Sequence, residues 1–145
     1  MKFWYTSAVV PSIVREPATI HLRRLTEADP DRIVWWGTRI ECASAIAARR
    51  RDGSLSESAV TDIQACFAEL RECWSEVLPR EALRERALRL LEVHSLRAAD
   101  ALQLAAAFAW CRDEPKEHGF VSLDDRLRAA AAREGFDLLP AANPD

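Results

Sequence analysis

An α/β sandwich follows from two features of this chain: short apolar runs that keep returning, and longer stretches of helical periodicity between them. The runs are KFWY, IVWW, SEVLP, FVSL and FDLLP. Strands separated by helices pair in parallel, and a parallel sheet needs helices over both faces. The expectation is a three-layer α/β/α sandwich on a central, mostly parallel sheet of about five short strands, one domain over residues 1–145.

Lys2–Tyr5 reads as the first strand and Ser7–Val14 as a turn or two of helix. A second helix starts at Glu16-Pro17, where proline suits a first turn, and runs to Ala28. Asp29–Arg32 is a turn, Ile33–Trp36 a buried strand, and Arg39–Asp52 a helix stopped by "DGS". Over Ser56–Trp74, Val60, Ile63, Cys66, Phe67 and Leu70 share a helical face. Ser75–Pro79 is a short strand, followed by helices at Glu81–Val93 and Arg97–Cys111. Phe120–Leu123 is the next strand; Asp125–Glu134 is helical, Gly135 ends it, and Phe136–Pro140 is a last strand before a frayed tail.

With 145 residues, 49% hydrophobic, the chain can close a core of its own. No apolar stretch approaches the roughly 18 residues of a membrane span, and MKFWY lacks the length and cleavage site of a signal peptide. The expectation is a soluble, cytoplasmic protein with no membrane partner. Cys42, Cys66, Cys73 and Cys111 have no zinc spacing and read as small buried apolar residues in a reducing compartment. A net charge of −3 argues against a surface coated for nucleic acid, while leaving room for a local basic rim. Trp35 and Trp36 read as core; His94 and His118 have no partner at ligand spacing.

Ligands of parallel sheets bind at the carboxyl ends of the strands, near the point where strand order reverses. Three acids stand near such ends or in a first helical turn: Glu41, Asp100 and Asp124. Each has a structural explanation. Thr38 and Glu41 fit a T-x-x-E capping box, Asp100 suits a helix dipole, and Asp124 is a good N-cap. Asp100 nevertheless lies in an almost wholly apolar helix, and a buried carboxylate needs a partner, either Arg97 three residues back or a metal. Carboxylates gathered at one edge repel, by roughly 4 kcal/mol per pair about 4 Å apart at an effective dielectric of 20. An all-oxygen set of this kind favours Mg²⁺ or Mn²⁺ over zinc.

At these residues the chain strongly resembles the PIN-domain nucleases, specifically the VapC-type toxins of bacterial toxin–antitoxin pairs. The resemblance runs nearly end to end, through TSAVVPSIVREP (6–17), VWWGTRIECASAIAARRRDGSLS (34–56), LRAADALQLAAA (96–107) and FVSLDDRLRAAAAREGF (120–136). It implies a Mg²⁺- or Mn²⁺-dependent endoribonuclease, active as a homodimer and silenced by a cognate antitoxin protein. By motif match Glu41, Asp100 and Asp124 are its catalytic, metal-binding acids, with Asp125 a possible accessory.

The chain departs from the family at Tyr5, where the first metal ligand, an aspartate, typically stands. Asp and Tyr codons differ by one base, and an active toxin selects against its own intact gene, so Tyr5 reads as an inactivating substitution. A neutral phenol is a poor Mg²⁺ ligand, which implies a weakened or inert nuclease. Thr6 and Ser7 are candidates to bring a hydroxyl near the metal, with helix capping as the alternative. Arg97 and Arg126 are weak candidates for holding the RNA backbone, with unpaired loops of structured RNA as substrate. Two other readings stay open: a PIN-like module that binds an antitoxin or RNA without cutting, and a metal-dependent DNA nuclease.

Overall fold

A computed structural model describes residues 1–14 and 19–142. The proposed helix start at Glu16-Pro17 and the end of the frayed tail lie outside these residues. Among them the order is β1 (Lys2–Trp4), α1 (Thr6–Ile13), α2 (Thr19–Ala28), β2 (Arg32–Trp35), α3 (Thr38–Arg51), α4 (Glu57–Glu72) and β3 (Trp74–Val77), followed by α5 (Glu81–Val93), α6 (Ala98–Trp110), β4 (Gly119–Val121), α7 (Asp125–Arg133) and β5 (Asp137–Leu139).

The five strands form one sheet in the order β3-β2-β1-β4-β5, with every pairing parallel. Side chains alternate across a strand, and here the alternation sorts the core into two halves. Phe3, Ile33, Trp35 and Phe120 point into a cluster with Leu83, Leu90, Leu104, Phe108 and Leu127 of α5, α6 and α7. Trp4, Val34 and Val121 point the other way, onto Val9, Leu22, Cys42, Ile46, Val60 and Phe67 of α1 to α4. The sandwich is therefore three layers deep, as the spacing of apolar runs implied. No helix is long and apolar enough to cross a membrane among the described residues.

Strand order decides where a ligand site falls. From β1 the chain steps outward to β2 and β3, then crosses back to place β4 on the other side of β1. The carboxyl ends of β1 and β4 flank that reversal, the usual position of a crevice in open parallel sheets. They are stitched together there: Tyr5 N–H donates to the Val121 carbonyl at 2.9 Å, and Leu123 N–H donates to Ser7 Oγ at 2.9 Å.

Several local expectations change. Tyr5 ends no strand but is the N-cap residue of α1. Trp36 is 46% exposed, because β2 stops at Trp35 and the chain turns at Gly37. Cys66 and Cys73 are exposed while Cys42 and Cys111 are buried, since the inward face of α4 is Val60, Ile63 and Phe67. Burial pushes the Cys42 thiol up to about 12, helped by the nearby Glu41 charge.

Candidate functional site

Tyr5 leaves β1 in extended conformation and opens α1. Its hydroxyl donates to Asp100 Oδ1 at 2.7 Å. Asp100 sits in the first turn of α6 and is only 8% exposed. Arg97, the expected salt-bridge partner, makes no ion pair with it; the partner of Asp100 is the phenol. Burial, the hydrogen bond to Asp100, and the charges of Asp100, Glu41 and Asp124 all raise the Tyr5 pKa far above the ordinary phenol value. All three sequence-selected acids therefore act on one hydroxyl at the end of β1.

Glu41 arrives on the first turn of α3. The capping box does not form, because the N-cap position falls on Gly37 and Thr38 is already inside the helix. Thr6 Oγ1 donates to Glu41 Oε2 at 2.7 Å, and Gln103 Nε2 lies 3.1 Å from the same oxygen. Burial lifts the Glu41 carboxyl above its usual range; the bonds from Thr6 and Gln103 oppose this, and the Asp100 charge adds to it. Thr6 thus serves the acid rather than a helix cap, and Ser7 secures the Leu123 backbone.

Asp124 does cap α7, its Oδ1 accepting from Leu127 N–H at 2.8 Å. Its own N–H donates to Ser122 Oγ at 3.1 Å, which fixes the turn after β4. Tyr5, Asp100 and Asp124 line a cavity of about 590 Å³ with Arg97, Asp125 and Arg126 at its exposed mouth. Glu41 does not line it, its carboxylate being turned to Thr6 and Gln103. His94 and His118 stand elsewhere: His94 Nε2 pairs with Glu134, and His118 Nδ1 lies 3.1 Å from the Lys116 carbonyl.

Gln103 escaped the sequence reading. It is fully buried, and its amide nitrogen reaches Thr6 Oγ1 (3.0 Å), Thr38 Oγ1 (3.1 Å) and Glu41 Oε2, joining α1, α3 and α6. Its signal was a lone amide in an apolar run, three residues after Asp100 and so on the same helical face.

With Tyr5 in place the donor set does not fit a divalent cation. One oxygen of each acid is engaged, by the Tyr5 hydroxyl, by Thr6 with Gln103, and by a backbone N–H. Among the described residues no three His, Cys, Asp or Glu side chains are grouped so as to hold a metal ion. No family model matches this chain, and no curated protein shows significant similarity to it.

Proposed function

We propose that this chain has the frame of a metal-dependent endoribonuclease, a PIN-domain toxin of the VapC type from a toxin–antitoxin pair, disarmed by Tyr5. One observation carries the reading: Glu41 and Asp100, in the first turns of α3 and α6, and Asp124, the cap of α7, all act on the side chain at the carboxyl end of β1 beside the strand-order reversal. An aspartate at position 5 would complete a four-carboxylate set for Mg²⁺ or Mn²⁺. When bound, such a metal supplies an activated water and neutralises charge on a phosphodiester. Arg97 and Arg126 at the mouth suit the RNA backbone, and Asp125 is an accessory acid there. The same reading gives the chain a cytoplasmic location, a second copy of itself and an antitoxin protein as partners.

The Tyr5–Asp100 hydrogen bond favours a second reading, a PIN-like module that holds an antitoxin or RNA and does not cut. One comparison separates them: cleavage of total RNA in Mg²⁺ or Mn²⁺ by this chain, by Tyr5→Asp, and by Tyr5→Asp with Asp100→Ala. The ribonuclease reading expects the single variant to cut at least about 100-fold faster than the other two, the scale on which a metal site gains or loses function. A folded Tyr5→Asp protein that leaves RNA intact under either metal sinks that reading in favour of the binding module.

A further inference from the structure

Each acid near Tyr5 has a protein donor for one of its oxygens. Asp100 is a buried carboxylate whose partner is the Tyr5 hydroxyl at 2.7 Å. Glu41 has Thr6 and Gln103, and Asp124 has the Leu127 N–H. The backbone that carries the phenol is anchored, because the Tyr5 N–H donates to the Val121 carbonyl at the end of β4. Carboxylates at one strand end ordinarily need a positive ion or a proton donor between them. Tyr5 is such a donor, neutral and fixed.

We infer that the Tyr5 hydroxyl takes the part of a bound cation, so that this chain keeps its acidic cluster ordered with no divalent metal and takes up Mg²⁺ or Mn²⁺ only when a carboxylate replaces Tyr5. A single position then decides whether the fold is cation-independent or cation-dependent. This goes beyond the ribonuclease reading, because uptake of a cation and its effect on stability are measured without RNA.

The test is thermal unfolding of the full chain in EDTA, Mg²⁺ and Mn²⁺, beside titration of free Mn²⁺ by its electron paramagnetic resonance signal. The chain as it stands is expected to melt at one temperature in all three and to leave Mn²⁺ free. Tyr5→Asp is expected to melt lower in EDTA by about 5 °C or more, to recover with Mn²⁺, and to bind it. Tyr5→Phe is expected to melt lower without gaining any response to Mn²⁺, since it strands Asp100 without a donor. If Tyr5→Asp is unfolded in EDTA, Tyr5→Asp with Asp100→Asn supplies the comparison; it is expected to fold without metal and to lose the Mn²⁺ response. Stabilisation of the unaltered chain by Mn²⁺ overturns the inference, as does a Tyr5→Asp protein that melts as high in EDTA or ignores Mn²⁺. A Tyr5→Asp protein that binds Mn²⁺ yet spares RNA removes the ribonuclease reading and leaves this one standing.

Discussion

Tyr5 and Asp100, 95 residues apart in sequence, share a 2.7 Å hydrogen bond in which the phenol donates. Tyr5 is the chain's one tyrosine, so its ionisation is optically isolated near 295 nm. Burial, the bond to Asp100 and the three surrounding carboxylates all oppose the phenolate. The folded protein is therefore expected to show no phenolate absorbance at pH 11, while denatured chain titrates near the ordinary value of about 10. The folded-state pKa is raised, so the stability tied to this proton is complete below about pH 10 and is lost as pH rises from there. Phenolate absorbance at pH 10 in protein that remains folded by circular dichroism contradicts this.

Glu41 gives the corresponding effect at acid pH. Its folded-state pKa is raised, chiefly by burial, so between the ordinary and the raised value the folded state binds more protons than the unfolded chain. Its contribution to stability is complete below the ordinary carboxyl value and is lost as pH rises through the raised one. Glu41→Gln keeps an oxygen to accept from Thr6 and removes the charge. It is expected to melt a few degrees higher at pH 7 and to show a flatter dependence of melting temperature on pH above about 4.5. Equal melting temperatures for the two proteins from pH 4 to pH 8 count against a buried, disfavoured Glu41 charge.

The layers and the sheet were legible because they rest on periodicity. Val34 and Trp35 face opposite halves of the core, as alternation demands. What was not legible depended on where elements stop and what lies beside them. Trp36 continues an apolar run but falls beyond the last residue of β2, and it is exposed. Thr38 matched a cap by spacing, yet the backbone places the cap at Gly37, where a Cβ would come within 2.6 Å of Trp35 Nε1. The three acids were readable as a set from their positions. Asp124 caps its helix as its position implied, but the partners of Asp100 and Glu41 were not readable, since Tyr5, Thr6 and Gln103 reach them across 35 to 95 residues of chain.

Gln103 is the fastener that local pattern could not reveal. Its amide nitrogen serves the hydroxyls of Thr6 and Thr38 and the Glu41 carboxylate in a fully buried place, while its Oε1 has no partner among the described residues. Gln103→Leu keeps the approximate volume and deletes the donor to Glu41. It is expected to cost about 2–3 kcal/mol, the scale of a charge-assisted hydrogen bond lost in the interior. Combining it with Glu41→Gln is expected to recover part of that loss, because the acceptor left behind is no longer charged. Chemical denaturation of the two single variants and the double variant checks this; strict additivity means that Gln103 does not act through Glu41.

Arg128 holds the other side of the reversal. It is 7% exposed on α7, and its guanidinium donates to the carbonyls of Ser122 (2.8 Å), Leu139 (3.2 Å) and Pro140 (2.8 Å). A planar fork of donors is what such a fan of carbonyl groups requires, and lysine cannot reproduce it. These bonds tie the end of β4 to β5, and Ser122 in turn accepts from the Asp124 N–H through its hydroxyl. Arg128→Lys is expected to lose about 1–2 kcal/mol and Arg128→Met about 3 kcal/mol, through the loss of bonds to the buried Ser122 carbonyl and to the half-buried Leu139 and Pro140 carbonyls. Amide hydrogen exchange of residues 122–124 is the more telling measurement. Protection there is expected to fall in Arg128→Met while that of β2 persists, because the clamp acts on the strand end that carries Asp124. A uniform loss of protection across the whole sheet would instead make Arg128 a general core residue with no special hold on the site.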